Sequence, residues 1–271
     1  MLYVGLDIHI KHIAACVLSQ TGQVVQRARV RGIDEMLGIL KGLPDRFEVC
    51  SEASCGYGHY HDLLRPLAAR VLVAHPGQLR LIFRSQSKND RNDAERLAKL
   101  LYLGETPTVH VPSLDVRTWR ELINCRSQVI AKRTRAKNAL RALLRGAGVV
   151  PPRNPGLWTK KGLAWLRQLD LPTASQQLRR DLLLEEVEAL NRQVRRIEKQ
   201  LNQQAQRTPG VAQLRSIPGV GIRTAEAVAA FLDDPQRKKI ALVATAHYLV
   251  RVMWALLKRG TVWQENEARA G

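Results

Sequence analysis

The stretch LYVGLDIHIKHIAACVLSQTGQVVQRARV, residues 2–30, decides how the chain begins to fold. A short apolar run ends on Asp7, HIAACVLS follows almost at once, QTGQ supplies a Gly-containing turn, and VVQRARV alternates. Short apolar runs broken by such turns predict three strands in a β-meander. Beyond them a helix is expected over Ile33–Lys41, a strand through RFEVCSEAS, a helix from Tyr57, and a strand at RVLVAHP that ends on a proline.

Three strands followed by alternating helix and strand is the order of a ribonuclease H-like α/β sheet. In such a sheet the first strand is central and the fourth lies beside it. Asp7 and Glu52, each near the end of its strand, would then be neighbours. After the fifth strand comes SQSKNDRNDAERLAKLLYL, where Asp90 and Asp93 open a helix with apolar Ala94, Leu97, Ala98 and Leu101. Their i, i+3 spacing puts both acids on one face at the positive end of that helix. Close carboxylates repel each other unless a divalent cation lies between them. Four hard oxygen ligands suit Mg²⁺ or Mn²⁺ rather than Zn²⁺. The competing reading is plainer: Asp90 and Asp93 cap a helix and Asp7 ends a strand.

VCSEASCGYGHYH, residues 49–61, invites a zinc assignment to Cys50, Cys55, His59 and His61. A strand end followed by a helix start does not readily present a closed tetrahedral set. The cysteines are expected in packing roles and the histidines at the surface, which leaves Glu52 as the metal candidate. The four cysteines form no CxxC pair, so reduced thiols in a cytoplasm are expected. No run approaches eighteen apolar residues, and the first residues lack a signal-peptide pattern, so no membrane span or leader is expected.

The formal charge of the 271-residue chain is +19, from 43 Lys and Arg against 24 Asp and Glu. Residues 111–163 hold twelve basic and two acidic residues, the densest excess in the chain. Within them DVRTWRELINCRSQVIAKRTRAKNALRALLRG, residues 115–146, reads as one long helix with apolar positions at helical spacing. Arg126, Lys132, Arg133, Arg135, Lys137, Arg141 and Arg145 interleave with them. Guanidinium forks pair well with phosphate oxygens, so the helix is a candidate nucleic-acid surface. DNA and RNA backbones are not separable at this point, because phosphate contacts carry no sequence information.

After the Pro-rich break VVPPRNPG, Leu183, Val187, Leu190, Val194, Ile197 and Leu201 form a heptad seam. A hairpin with the basic helix or a dimer contact would bury it, and the dimer is the expected arrangement. Further on, IPGVGIRTAEAVAAFL places Gly219 and Gly221 between helical stretches, like a helix-hairpin-helix. Glycines there let backbone N–H groups approach a phosphate. The chain thus divides into residues 1–110, a basic helix over 111–150, a linker and coiled segment over 151–208, and a mainly α C-terminal part over 209–271.

VGLDIHIKHIAACVLSQTGQVV, EASCGYGHYHDLL, VAHPGQLRLIFRSQSKNDRNDAERLAKLL and LRSIPGVGIRTAEAVAAFL together resemble the DEDD transposases of the IS110 family of bacterial insertion sequences, relatives of the pilin-gene inversion recombinases. The resemblance implies a RuvC-like N-terminal domain with its catalytic, Mg²⁺-dependent tetrad at Asp7, Glu52, Asp90 and Asp93. It also implies an IS116/IS110/IS902-type C-terminal domain, recombination of double-stranded DNA, guidance by a structured RNA, and homo-oligomers assembled through the coiled segment.

One part departs from the pattern. The family carries a nucleophilic serine in a YxGLxPS…SG region, whereas here FLDDPQRKK runs directly into IALVATAHYLVRVMWALLKRGTVW, which resembles the family's last helix over Lys239–Trp263. Ser216 precedes the hairpin and does not match, so no nucleophilic serine is found. The chain is therefore expected to bind nucleic acid and metal without completing recombination unaided. A non-catalytic nucleic-acid-binding remnant is the alternative. An actin-like-fold kinase fits less well, because His9 and Lys11 stand where small residues are needed and no adenosine loop follows.

Overall fold

The computed structural model describes residues 1–83, 90–154 and 156–231, with the side chains of residues 90 and 91 outside that description. The chain divides into two units, residues 1–114 and residues from 115 onward.

In the first unit β1 (Leu2–Ile8), β2 (Ile13–Leu18) and β3 (Val24–Val30) form the meander, followed by α1 (Ile33–Lys41), β4 (Phe47–Glu52), α2 (Tyr57–Leu64), β5 (Arg70–Ala74), α3 (Pro76–Ile82) and α4 (Asp90–Leu103). They make a five-stranded mixed sheet of order β3-β2-β1-β4-β5. The meander pairs antiparallel, while β4 runs parallel to β1 and β5 parallel to β4. The outer edge of β5 is covered: His75 N–H donates to the Pro107 carbonyl at 2.7 Å and Val109 N–H to the Val73 carbonyl at 2.8 Å.

Strand alternation sorts the side chains onto two faces. Val4, Leu6 and Val49 point toward Met36 and Leu40 of α1 and Leu64 of α2. Ala14, Cys16 and Leu18 point to the other face, against Ala94 and Ala98 of α4. On that face Gly5 lets α4 lie directly on β1. A Cβ there would stand 2.0 Å from the Ala94 carbonyl oxygen and 2.5 Å from the Ala98 nitrogen. Helix α3 has no counterpart in the sequence reading. Its N-cap is His75, whose Nδ1 accepts from the Gly77 and Gln78 N–H groups, and Pro76 supplies the preset first turn.

The second unit is helical: α5 (Leu114–Gly146), α6 (Lys160–Gln168), α7 (Ala174–Gln206), α8 (Pro209–Arg215) and α9 (Ile222–Phe231). The segments expected as separate parts fold together as far as residue 231. Helices α5 and α7, 33 residues each, are roughly 50 Å long. They run antiparallel: Arg126 pairs with Glu198 at 2.7 Å, and Arg133 donates to Asn191 Oδ1 at 3.1 Å. Val187, Leu190 and Val194 bury against Val129 and Ala136. The heptad seam expected at a dimer contact is thus covered by the chain's own basic helix, because α5 offers apolar groups at matching height. Helices α8 and α9 close one end through Val211, Ala225 and Ala230 around Trp119, Leu201 and Ala205.

Cys16 and Cys50 are fully buried, whereas Cys55 and Cys125 are exposed. Burial pushes the Cys50 thiol up to about 12, and burial with the nearby Glu95 charge raises Cys16. Native protein at pH 8 is expected to react with a thiol reagent at two cysteines, Cys55 and Cys125, within minutes. The other two should label only after unfolding, which peptide mass mapping reads directly. Rapid labelling of Cys50 in the native state would contradict this packing.

Candidate functional site

Asp7 lies at the C-terminal end of β1 and Glu52 at the end of β4. The parallel register pairs Leu6 with Ser51, so the next step brings Asp7 level with Glu52. Both belong to the sheet face that carries α4. Asp93 sits in the first turn of that helix, and the close approach at Gly5 presses this turn toward the strand ends. Asp7, Glu52 and Asp93 consequently line one open cleft of about 140 Å³, together with Pro76, Leu79, Arg80, Phe83, Arg96 and Leu97. Asp90 occupies the first position of α4, one turn before Asp93; its side chain lies outside the described residues.

The acids have basic company. His9 Nε2 lies 3.0 Å from Asp7 Oδ2, and Asp7 is only 8% exposed. Arg96 Nη1 donates to Asp93 Oδ1 at 3.0 Å, with its guanidinium 5.2 Å from the Phe83 ring centre. Sequence reasoning missed Arg80, Phe83 and Arg96. Arg96 stands at i+3 from Asp93, a spacing that could have revealed it. The donor chemistry is that of hard oxygen ligands, which fits Mg²⁺ or Mn²⁺. Among the described residues no three acidic, histidine or cysteine side chains stand close enough to grip one ion as they are.

The alternative zinc set disperses. Cys50 is buried in the apolar layer with Ala74, Leu97 and Leu101, while Cys55 and His59 are exposed. His61 faces its neighbour Asp62, Nδ1 to Oδ1 at 3.3 Å.

In the second unit the basic residues of α5 separate into groups. Arg126 and Arg133 turn inward to Glu198 and Asn191 of α7. Lys137 and Arg141 lie over the Trp158 ring, while Lys132, Arg135 and Arg145 are exposed. The Gly219–Gly221 turn joins α8 to α9, with Gly219 at φ +83° and open space where a Gly221 Cβ would point. Ser216 closes α8, its hydroxyl donating to the Gln213 carbonyl at 2.7 Å. The stretch expected as a final helix, Lys239–Trp263, and the junction after Phe231 lie outside the described residues.

A family model described as transposase, of the DEDD type and bearing the IS110 name, matches residues 4–148. The chain is 28% identical over 193 residues to a Sinorhizobium fredii protein named as transposase y4qE, covering 68% of this chain and 49% of that protein. It is 24% identical over 235 residues to the transposase for insertion sequence element IS1111A of Coxiella burnetii, covering 85% and 63%. A Pseudomonas aeruginosa protein described as a family 20 transposase is 26% identical over 188 residues, 68% and 55% of the two chains. The chain thus spans from 49% to 63% of the length of these relatives.

Proposed function

Because this chain belongs to the IS110 family of DEDD transposases, we propose that its first unit is a ribonuclease H-like, RuvC-like catalytic domain acting on the double-stranded DNA of an insertion sequence. The observation that carries the reading is the convergence of Asp7, Glu52 and Asp93 on one cleft from three elements distant in sequence. With Asp90 one turn earlier on α4, these carboxylates would hold Mg²⁺ or Mn²⁺. Bound there, divalent ions supply activation of an attacking oxygen and stabilisation of the leaving oxygen of a phosphodiester. The chain's own part is to position the acids. Register fixes Asp7 beside Glu52, and Gly5 sets the distance to α4. Arg80 and Arg96 add positive charge at the rim, where a phosphate would approach.

The second unit is read as the nucleic-acid-holding part. Lys132, Arg135, Lys137, Arg141 and Arg145 serve for DNA or a structured guide RNA, and the Gly219–Gly221 turn serves for a phosphate. Oligomer assembly, where it occurs, would use surfaces other than the heptad seam that α5 already covers.

Thermal denaturation in a Mn²⁺ titration tests the metal reading. At ten times Kd the ion should stabilise the parent by about 1.4 kcal/mol, a rise in Tm of a few degrees. Asp7→Asn is expected to lose that rise while folding normally. Equal rises in the two proteins would remove the acids from metal binding.

A second reading is that this chain binds nucleic acid without cutting it, because FLDDPQRKK runs straight on where the family's serine region is expected. Incubation with guide RNA, donor and target DNA decides. A trapped covalent protein–DNA adduct would end the second reading.

A further inference from the structure

Trp158 lies between α5 and α6, in a turn two residues before Lys160. Its ring is half-buried and packs against the apolar seam of the hairpin, the cluster that holds Ala136, Val187 and Leu190. Two cations of α5 lie over it: Lys137 Nζ at 4.7 Å and Arg141 Cζ at 5.3 Å from the ring centre. They are one helical turn apart, and Arg133 stands one turn earlier, so three like charges repeat along one stripe. From residue 122 to residue 169 the sequence contains no Asp or Glu, so α5 supplies no acid of its own beside them. Burial and the charges of Arg133 and Arg141 hold Lys137 below the ordinary lysine range. Arg133 is already engaged by Asn191, and Arg141 donates to Asn138 Oδ1 at 3.0 Å.

The indole itself has a polar cost. Its Nε1 is buried and meets no acceptor among the described residues. An aliphatic side chain such as leucine would pack there without burying an unpaired donor. What leucine lacks is a π face, and a π face attracts cations.

We propose that Lys137, Arg141 and Trp158 form one preorganised contact site for the phosphodiester backbone of a nucleic acid, with the indole as its positioning residue. The proposal rests on the reading of α5 as a nucleic-acid surface and adds the residue that arranges it. Long basic side chains lose rotamer freedom when they bind. Here the ring removes part of that freedom beforehand, so less is lost on contact. Cation–π contact uses the flat side of the guanidinium and leaves its N–H edges for phosphate oxygens.

The test uses the full chain, a duplex DNA and a stem-loop RNA, with affinity measured at several salt concentrations and folding followed by circular dichroism. Lys137→Ala and Arg141→Ala should each weaken binding about three- to tenfold and reduce the salt slope by about 1. Trp158→Leu keeps every charge and should still weaken binding about fivefold, whereas Trp158→Phe should stay within about twofold of the parent. A larger effect on RNA or on DNA identifies which backbone occupies the site. If Trp158→Leu binds like the parent while Lys137→Ala and Arg141→Ala do not, the positioning role is overturned. If a variant with alanine at 132, 135, 137, 141 and 145 binds both probes like the parent, the underlying reading of α5 falls and the proposal with it.

Discussion

Gly5→Ala is expected to cost the first unit about 3 kcal/mol or more, a fall in Tm of roughly 10–20 °C. The added methyl would meet the Ala94 carbonyl oxygen at 2.0 Å and the Ala98 nitrogen at 2.5 Å. Both are backbone atoms of α4, so no rotamer change relieves the clash and the helix as a whole must move. Moving α4 carries Asp93 away from Asp7, so any Mn²⁺ stabilisation should vanish with the lost stability. Gly38→Ala is the control. Nothing lies within 4 Å of a Cβ there, and its helical position predicts a neutral or slightly stabilising change of about 0.5–1 kcal/mol. Gly5→Ala melting within 3 °C of the parent would show that α4 does not rest on β1 in this way.

Arg223→Ala is expected to destabilise the second unit by about 3 kcal/mol. Both Glu226 oxygens accept from Arg223 Nη1, at 2.8 and 2.6 Å, and Glu226 is 1% exposed. Removing the guanidinium strands a buried carboxylate. It also cuts the tie from α9 to Asn202 and to the Glu198 carbonyl of α7. Burial is the main cause that raises the Glu226 carboxyl above its ordinary value of 4.5, with Arg223 opposing it. A raised carboxyl binds its proton more tightly in the folded protein. Its contribution to stability is therefore complete below about pH 4.5 and is lost as pH rises through the raised value. Denaturant melts of the parent and Glu226→Gln across that window should show the parent gaining relative stability on acidification. A difference that stays flat with pH would mean Glu226 keeps an ordinary carboxyl.

The meander, α1 and both long helices were legible because each announces itself within a few residues. Short apolar runs broken by the Gly-containing turn QTGQ are too short for helices and read as strands, and α1 spans the stretch its pattern predicts, Ile33–Lys41. Helix α3 was not legible, since histidine is not among the common capping residues and Pro76 reads as a strand end. The pairing of Asp7 with Glu52 followed from strand order, which element spacing conveys. The importance of Gly5 did not, because the helix that requires it begins some 85 residues later. Arg126 and Arg133 were counted with the exposed basic residues. They stand at seven-residue steps from buried Trp119 and Leu140, a stripe visible in the sequence that turns them toward α7.

The antiparallel α5–α7 hairpin is also a ruler. Arg126 stands opposite Glu198 and Arg133 opposite Asn191, so seven residues forward on one helix match seven backward on the other. Deleting a single residue from α7 would rotate everything beyond it by about 100° and aim charged groups into the seam. Removing one matched heptad from each helix would restore every facing pair and shorten the arm by about 10 Å. The reach of this unit can therefore change in whole steps of that size with the register of the seam kept.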